Sequence, residues 1–503
     1  MNLNEKDIYV FNPDYVLRND KCRVALYAKE CVNIYSSIDW NNFIHPFQAK
    51  FLSFFTYNRT LGENIKLMSN YFGQDVGTIS KWIYPFLENT HPLYVSWRNK
   101  RILFPKYILV KKEKLSNVVS FLNLTPELFD CDNIDLDTYR YYSGPLMITL
   151  MLNNKCVTCC KYCYADTQHI VLDYVPITRW IDIIEESYDM HIRQVNLMGG
   201  EVFMYNKWDV LLKKIVDLKM SPRYISTKIP FTKDLIDRML KTGYKNRIQV
   251  SFDTSNISIL KKVLGVDEKY LYQMKEGLYL LDKSGLKYHV ATVLHSCNGL
   301  EDDLKELFGF LGSLSHISDW RISPVVNPVK SKMKNFDTMK LQRAEIERLF
   351  QYIESHLLPC SHFPILLNRA ALDKYYYTCK NGSVGFQGPR CSALNTHLFV
   401  LPDGKATICE QLYWNPLFIV GDIMQSSLSE IWRSEKSLWL ANLKRDDIQN
   451  ASQCKVCALF ESCFANRNRC WADIVKAFGT DNWDFPDPRC ERSPVMINNL
   501  EYL

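Results

Sequence analysis

The cysteines of this chain fall into two tight groups, and this grouping limits what the chain can fold into more than any other feature of its sequence. The chain has 17 cysteines among 503 residues. Four of them lie within residues 156–163, and eight lie between Cys379 and Cys490. Disulfide frameworks are usually spread more evenly, and cysteines in a reducing compartment more often bind metals. We therefore expect both groups to be metal ligands.

The composition is that of a folded protein with several hydrophobic cores. Hydrophobic residues make up 47% and charged residues 23% of the chain, and the length predicts about three domains. The net charge of +6 is small for 503 residues and does not indicate nucleic-acid binding. No apolar run reaches the ~18 residues that a membrane-spanning helix needs, and the polar start does not resemble a signal peptide. We therefore expect a cytoplasmic location, without a membrane or nucleic-acid partner.

Residues 1–112 show the pattern of a small domain of their own. Hairpin signals occur at residues 15–28 and 93–104, and three apolar helical patterns lie between them. The helical patterns cover residues 45–57, 61–72 and 76–87. This order of hairpin, three helices and second hairpin predicts a winged helix-turn-helix domain. Residues 113–144 are expected to form a linker.

Strand-like runs alternate with amphipathic helical stretches from residue 145 to residue 345. The predicted strands are Leu146–Leu152, Gln194–Leu197, Tyr224–Ser226, Ile248–Phe252, Lys287–Leu294 and Trp320–Ser323. This alternation predicts an α/β fold with a parallel sheet, a partial (β/α)6 TIM-like barrel. In such folds the chemistry lies at the carboxyl ends of the strands, and the first cysteine group directly follows the first strand. Residues 346–378 are expected to form a helical bridge, and residues 379–503 a domain whose fold depends on bound metal.

Three cysteines of the first group, Cys156, Cys160 and Cys163, have the spacing CX3CX2C. Three thiolates on one loop can bind three irons of a [4Fe–4S] cluster, which leaves the fourth iron open for another ligand. Cys159 falls outside the spacing and is expected to be a bystander. The alternative is a zinc loop with a further ligand from elsewhere. The motif resembles that of the radical S-adenosylmethionine (radical SAM) superfamily, with Tyr162 as its aromatic residue.

The resemblance to the radical SAM superfamily implies a cofactor site and a reaction. In that superfamily the open iron chelates SAM, and an electron from the cluster cleaves SAM to a 5′-deoxyadenosyl radical that takes hydrogen from the substrate. By position, the cofactor-binding residues would be Tyr162, Gly199, Gly200, Glu201, Thr227, Ser251, Asp253, Asn298 and Arg321. The two glycines would let the backbone approach the cofactor closely. Val202 departs from the family, which usually has proline there, and the polar residues of this set have ordinary strand-end roles as their alternative.

The second cysteine group has an ordered spacing of its own. Cys391, Gly404 and Cys409 follow the pattern CX12GX4C, and CX2CX5CX6C runs from Cys454 to Cys470. This order resembles the SPASM extension of radical SAM enzymes, which holds two auxiliary [4Fe–4S] clusters and usually ends in CX5CX3C. The resemblance assigns Cys391, Cys409 and Cys470, with Cys379 as a candidate fourth ligand, to the first auxiliary cluster, and Cys454, Cys457, Cys463 and Cys490 to the second. A zinc ribbon is the alternative.

Glu410 directly follows Cys409. In sulfatase-maturing relatives an acidic residue at this place acts as a base, so the resemblance implies that Glu410 takes a proton from the substrate. The alternative is a solvated or ion-paired glutamate. With the auxiliary clusters included, the expected cofactors are three [4Fe–4S] clusters and SAM.

The order of the domains indicates the kind of substrate. A winged-helix domain ahead of a radical SAM and SPASM pair resembles the recognition element of enzymes that modify ribosomally synthesised peptides (RiPPs), which binds the leader of a precursor peptide. Such elements bind by strand addition, so residues 15–28 and 76–88 would form the groove. DNA binding is the alternative, but residues 76–87 carry Lys81 as their single basic residue, which is poor for phosphate contact.

Together, these resemblances predict a peptide maturase. Its product would be an intramolecular crosslink, either a thioether or a carbon–carbon or carbon–oxygen bond, and a flavodoxin or ferredoxin would supply the reducing electron. The alternatives among enzymes are a maturase that oxidises Ser or Cys to formylglycine and a peptide epimerase. The alternative outside enzymes is an iron–sulfur electron-transfer or peptide-binding protein.

Two cysteine substitutions separate the roles of the two groups. Cys156→Ala should abolish 5′-deoxyadenosine formation with reductant and SAM, because it removes a ligand of the cluster that cleaves the cofactor. Cys454→Ala should retain part of that formation and lose the modified peptide. Chromatography of the nucleoside and mass spectrometry of the peptide measure the two outcomes. Retention of 5′-deoxyadenosine formation in Cys156→Ala would contradict the assignment.

Overall fold

Two units of the chain fold around separate hydrophobic cores. The computed structural model describes residues 4–29, 41–115, 121–329, 335–369, 376–378, 384–386, 391–465, 469–498 and 500. The N-terminal unit comprises residues 1–144 and the C-terminal unit residues 145–503. None of the helices in the described part of the chain is long and apolar enough to cross a bilayer.

The N-terminal unit combines short strands with three helices. In chain order its elements are β1 (Tyr9–Phe11), β2 (Tyr15–Asn19), β3 (Val24–Ala28), β4 (Asn41–Ile44), α1 (Pro46–Ser53), α2 (Leu61–Phe72), α3 (Val76–Ile83), β5 (Leu93–Trp97), β6 (Lys100–Phe104) and β7 (Leu109–Lys111). β2, β3 and β4 form an antiparallel sheet with β3 in the middle, β5 and β6 form a hairpin, and β1 pairs with β7. The two predicted hairpins and the three predicted helices are confirmed. β1, β4 and β7 lie outside the predicted elements.

Capping residues set the ends of α2. Thr60 accepts a hydrogen bond from the backbone N–H of Glu63, and the Glu63 carboxylate accepts one from the Thr60 N–H in return. Such a capping box satisfies backbone donors that have no partner within the helix. The helix ends at Gly73, whose φ of 63° is the left-handed conformation that glycine adopts most easily. Ile65 on its buried face joins the core of the unit.

A buried ion pair ties residues 135–143 to the β2–β3 hairpin. The Arg23 Nε donates to the Asp20 carboxylate at 3.0 Å, and both side chains are fully buried. The same guanidinium donates to the backbone carbonyls of Thr138 and Arg140, and Asp20 accepts from the backbone N–H of Ser143 at 2.8 Å. These residues fall in the segment for which the sequence predicts a linker.

The C-terminal unit begins with the predicted alternation of strands and helices. Its first elements are β8 (Met147–Met151), α4 (Ile177–Asp189), β9 (Gln194–Met198), α5 (Trp208–Asp217), β10 (Tyr224–Thr227), α6 (Lys233–Lys241), β11 (Arg247–Ser251), α7 (Ile257–Leu264), α8 (Glu268–Asp282), β12 (Tyr288–Leu294), α9 (Glu301–Leu311) and β13 (Ile317–Pro324). All six predicted strands are present, and their ladders are parallel. The strand side chains that face the helices, such as Leu150, Val250 and Trp320, form the core.

The remainder of the unit adds strands to both sides of this array. Its elements are α10 (Arg343–Tyr352), β14 (Ile365–Leu367), β15 (Tyr376–Thr378), β16 (Val384–Phe386), β17 (His397–Val400), β18 (Lys405–Thr407), β19 (Ile419–Asp422), α11 (Leu428–Arg433), α12 (Glu435–Ala441), α13 (Phe460–Ala465) and α14 (Trp471–Phe478). One five-stranded sheet has the order β10-β11-β12-β13-β14, and a second has the order β19-β18-β17-β8-β9. The six predicted strands are thus divided between two sheets, and β17 pairs in parallel with β8.

The buried ion pair of the N-terminal unit predicts a local loss of stability. Arg23→Met leaves the Asp20 carboxylate buried without its partner, which should lower the free energy of local unfolding by about 3–5 kcal/mol. Hydrogen–deuterium exchange of the full chain at residues 15–28 measures this free energy. Lys66→Met, at an exposed position of α2, is the matched control. An equal change in both variants would contradict a stabilising role for the pair.

Candidate functional site

The first cysteine group lies on the loop between β8 and α4, at the carboxyl end of the first strand. The Thr158 Oγ1 lies 3.5 Å from the Cys156 Sγ and 3.2 Å from the Cys160 Sγ, so one hydroxyl joins two of the predicted ligands. The backbone N–H groups of Cys159 and Lys161 donate to the last carbonyls of α7. The loop is therefore held at the end of a helix, and Cys159 itself is exposed.

The two glycines after β9 support this loop. A Cβ atom on Gly200 would lie 2.3 Å from the Lys155 carbonyl oxygen, and one on Gly199 would lie 2.9 Å from the Asn153 carbonyl oxygen. The Gly200 N–H donates to the Asn153 carbonyl at 2.8 Å. The described contacts that exclude a side chain here come from the cysteine loop, whereas the sequence predicts that the glycines make room for a cofactor.

The Glu201 carboxylate is buried and held by donors from two other segments. It accepts from the Thr227 hydroxyl at 2.9 Å, from the Lys228 backbone N–H at 2.9 Å and from the Phe203 backbone N–H at 3.2 Å. Burial raises the pKa of Glu201, and these hydrogen bonds oppose the rise. The sequence-predicted residues Glu201 and Thr227 are thus in direct contact.

A buried ion pair lies next to this carboxylate. The Lys228 Nζ is 2.7 Å from the Asp253 carboxylate and 2.5 Å from the Tyr162 hydroxyl, and Tyr162 donates to the same carboxylate. Burial opposes both charges, but Asp253 raises the pKa of Lys228, and Lys228 lowers that of Asp253. A buried pair of this kind keeps both charges because each compensates the other. The structure therefore connects Tyr162, on the cysteine loop, to the ends of β10 and β11.

Asn298 fixes the backbone beside Asp253. Its amide donates to the Asp253 carbonyl at 3.0 Å and to the Val293 carbonyl at 2.9 Å, and it is fully buried. Ser251 and Arg321 lie in one row across the sheet, since both pair with Ala291 of β12. The Arg321 Nε donates to Asp319 at 2.6 Å.

Lys228 is the member of this network that the sequence analysis misses. It directly follows Thr227 at the end of β10, and its backbone carbonyl accepts from the Tyr270 hydroxyl at 2.7 Å. A lysine at a strand end is usually a solvated residue, so its type alone gives no signal. The available signal is positional, because a cation after one parallel strand lies beside a carboxylate after the next.

The cysteines of the second group fall into two sets. Within each set, thiols are close enough to affect one another's pKa. Burial raises the pKa of Cys409 to about 12, and Glu410 and Cys391 add to the rise. Burial also raises the pKa of Cys470, to which Asp473 and Cys391 contribute.

Burial also raises thiol pKa values in the second set of cysteines. Burial raises the pKa of Cys463 to about 11, and the Cys454, Cys490 and Cys457 thiols contribute, against the opposing charge of Arg469. Cys391 thus lies within electrostatic range of Cys409 and of Cys470. Cys463 lies within electrostatic range of Cys454, Cys457 and Cys490. Cys379 lies outside the described residues.

The donor sets fit iron–sulfur clusters, because all of their members are thiols. Among the described residues, no three His, Cys, Asp or Glu side chains converge as the ligands of one ion do. A cubane cluster binds one thiolate on each iron, so its ligands surround a volume and need not meet at a point. Thiolates are also the ligand type that such clusters use.

Glu410 lies between the two cysteine groups, together with two tyrosines. Burial raises its pKa. The charge of Glu410, followed by burial and by Cys163, raises the pKa of Tyr164. Burial raises the pKa of Tyr413, to which Tyr164, Glu410 and Cys163 contribute. Tyr413 is 2% exposed, and its hydroxyl has no hydrogen-bond partner among the described residues. A buried unpartnered hydroxyl thus lies close to Cys163, and the half-buried Glu410 carboxyl lies within electrostatic range of Tyr413.

Family comparisons agree with the order of these sites. Residues 150–311 match the radical SAM superfamily, and residues 391–458 match SPASM, described as an iron–sulfur cluster-binding domain. The prediction of a radical SAM domain followed by a SPASM domain is confirmed. These domains imply [4Fe–4S] clusters and SAM as the bound groups.

Curated relatives are similar to this chain over part of its length. The PqqA peptide cyclase of Granulibacter bethesdensis is 22% identical over 158 residues, which are 31% of this chain and 41% of that relative. The GTP 3′,8-cyclase of Aliarcobacter butzleri is 24% identical over 149 residues, which are 29% of this chain and 46% of that relative. The chain therefore spans less than half the length of either relative.

Solved structures share the fold over nearly the whole chain. Streptococcus suis SuiB bound to S-adenosylmethionine has a TM-score of 0.61 and 15% identity, and the match covers 96% of this chain and 100% of SuiB. SuiB bound to its precursor peptide SuiA has a TM-score of 0.60 and 14% identity, with the same coverage. At this identity the likeness establishes the fold.

The buried ion pair predicts the effect of removing Lys228. Lys228→Met leaves Asp253 without its partner and releases Tyr162, so SAM should bind more weakly by about 2 kcal/mol, which is roughly a 30-fold rise in Kd. Equilibrium binding of SAM to the cluster-loaded protein measures the change. Lys228→Arg keeps the charge and should restore most of the affinity, which a purely steric role would not produce. Wild-type affinity in Lys228→Met would contradict a positioning role for this residue.

Proposed function

We propose that this protein is a radical SAM/SPASM maturase that installs an intramolecular crosslink, a thioether or a carbon–carbon or carbon–oxygen bond, in a ribosomally synthesised precursor peptide. The observation that carries the proposal is the position of Glu410 and Tyr413. Tyr413 packs with Cys163 of one cysteine group, and Glu410 acts on Tyr413 and on Cys409 of the other group. A substrate held there would meet both the source of the radical and an acceptor for its electron.

The cofactors would be three [4Fe–4S] clusters and SAM. Cys156, Cys160 and Cys163 would hold the first cluster, and the two sets of the second group would hold the others. The first cluster and SAM together supply a 5′-deoxyadenosyl radical when bound. Tyr162, Glu201, Thr227, Asp253 and Asn298 would position SAM through the hydrogen-bonded network around Lys228. Gly199, Gly200, Ser251 and Arg321 complete the proposed cofactor site.

The residues of the chain would control the protons and the geometry of crosslinking. Closing a crosslink removes one hydrogen atom, one proton and one electron from the peptide. The Glu410 carboxylate would take the proton, because it lies beside Cys409 and faces the same region as the Tyr413 hydroxyl. The Tyr413 hydroxyl would donate a hydrogen bond to the peptide and so orient it. Burial of the Tyr413 hydroxyl would keep water from the reacting atoms beside it.

The N-terminal unit would bind the leader of the precursor as a RiPP recognition element. Its sheet, three helices and hairpin occur in the order of a winged helix-turn-helix. β3 is paired on both sides, so in the described part of this sheet an added strand would pair with the outer edge of β2 or of β4. We favour β4, because Phe47 at the start of the next helix is exposed and packs 5.6 Å from Trp82 of α3. A leader strand on β4 would reach these aromatic side chains.

The names of two similar proteins support a peptide substrate. The relative from Granulibacter is a PqqA peptide cyclase, and SuiB has been solved with its precursor peptide. The GTP 3′,8-cyclase likeness covers 29% of this chain, whereas the SuiB fold extends over 96% of it. A flavodoxin or ferredoxin in the cytoplasm would deliver the reducing electron.

Two other enzyme outcomes remain as competitors, a formylglycine-forming maturase and a peptide epimerase. Neither reaction forms a ring, so tandem mass spectrometry separates them from a crosslink. A crosslinked peptide yields no fragments from bonds inside the ring, whereas an aldehyde reacts with hydroxylamine and an epimer keeps its mass.

The test is co-expression with the short peptide encoded beside the gene, followed by mass spectrometry. We expect the wild-type enzyme to yield a ring-containing peptide. Glu410→Gln should lower the yield by about 10²–10⁴-fold while 5′-deoxyadenosine still forms. Glu276→Gln, at an exposed position of α8, is the matched control. A wild-type yield in Glu410→Gln would remove the proposed base, and an unmodified peptide with the wild type would remove the proposed function.

A further inference from the structure

Two guanidinium groups contact the thiols of the second auxiliary set. The Arg469 Nη2 donates to the Cys454 Sγ at 3.2 Å, and the Arg492 Nη1 donates to the Cys457 Sγ at 3.1 Å. We propose that these arginines raise the reduction potential of the cluster at Cys454, Cys457, Cys463 and Cys490, and make that cluster the electron sink of the reaction. The inference rests on the proposed function, because it assumes that these thiols hold an auxiliary cluster.

Arg469 is the stronger of the two contacts because it is buried. It is 7% exposed, donates to the Phe485 carbonyl at 3.3 Å and stacks 5.4 Å from the Trp471 ring. A buried cation needs a compensating negative charge, and a ligating thiolate supplies one. The pair therefore favours the thiolate that a cluster ligand must be.

Arg492 acts on the same set from the exposed side. Its side chain donates to Cys457, and its backbone N–H hydrogen-bonds Cys490 and lowers the pKa of that thiol against the effect of burial. Solvent screens an exposed guanidinium, so its contribution should be smaller than that of Arg469. Asp487 acts on Cys490 in the opposite sense, but the Asp487 carboxylate is paired with Arg489 at 2.8 Å.

The first auxiliary set has a different electrostatic environment. The Cys409 Sγ accepts from the backbone N–H of Gln411 at 3.5 Å, a neutral donor. Asp473 and Asp487 raise the pKa of Cys470 in addition to burial, although both carboxylates contact Arg489. Lys476 acts on Cys409 but is paired with Asp473 at 3.2 Å. Among the described residues, Arg489 and Lys476 near this set are thus each paired with a carboxylate.

The different electrostatic environments of the two sets indicate which auxiliary cluster would accept the electron. When the crosslink closes, the new bond forms as the peptide loses one proton, taken by Glu410, and one electron, which reduces an auxiliary cluster by one. Adding an electron makes a cluster more negative, so hydrogen bonds from cations to its thiolates favour the reduced form and raise its potential. The cluster with the higher potential would therefore be the one that holds this electron.

The test is a redox titration of the full-length, cluster-loaded enzyme followed by electron paramagnetic resonance. The variants are Arg469→Gln, Arg492→Gln and the double variant, and Cys454→Ala identifies the signal of this cluster by its loss. We expect the equilibrium constant for one-electron reduction of this cluster to be at least tenfold lower in the double variant. This corresponds to a shift of about 59 mV to lower potential. Arg433→Gln, at an exposed position of α11, removes the same charge and should leave the midpoint unchanged.

The iron content of each variant is measured as well, because a variant that does not assemble its cluster cannot report on the potential. If Arg469→Gln loses iron, the exposed Arg492→Gln alone carries the test, and a midpoint equal to that of Arg433→Gln overturns the proposal. Equal midpoints in the wild type and the double variant overturn it as well. A shifted midpoint in an enzyme that leaves the peptide unmodified would overturn the proposed function and the role as an electron sink, but not the effect of the arginines on the potential.

Discussion

The parallel pairing of β17 with β8 is the interaction on which the rest of the C-terminal unit depends. Val400 of β17 lies opposite Leu150 of β8, so both strands end at the same edge of one sheet. The cysteine loop leaves the end of β8, and the turn after β17 leads into β18 and Cys409. Tyr413, Met151 and Leu401 then pack together with Cys163. One ladder of backbone hydrogen bonds thus brings cysteines that are far apart in the chain to one region.

A second constraint is the buried charge at the ends of β9, β10 and β11. Glu201, Lys228 and Asp253 are each less than 10% exposed, and each loses hydration that hydrogen bonds must replace. Their partners come from the segments that follow different strands and from the cysteine loop. A displacement of any one segment would therefore leave a charge unsatisfied. Such a network costs stability compared with apolar packing, and it gives the proposed cofactor site a defined shape.

The sequence predicts local elements of this fold better than it predicts their partners. All six strands from β8 to β13 were predictable from apolar runs, because each run is buried by its own helices. The pairing of β17 with β8 joins residues about 250 positions apart, and no local pattern encodes it. Gly200 illustrates the same limit, since the neighbour that excludes a side chain is the Lys155 backbone. Lys228 was missed because its partner, Asp253, lies on another strand. The cysteine spacing predicted the radical SAM and SPASM domains, because spacing is a property of the sequence itself.

The backbone at Tyr413 connects the fold to the chemistry. Its φ of 38° lies in the left-handed region, which costs about 1–3 kcal/mol for a residue with a side chain. Its hydroxyl is buried and unpartnered in the described part of the chain, which adds a desolvation cost of about 1–3 kcal/mol. Two unfavourable terms at one residue are typical of a functional position rather than of a packing residue. Binding of a peptide group at this hydroxyl would recover the desolvation cost. The recovered free energy would then contribute to the affinity for substrate.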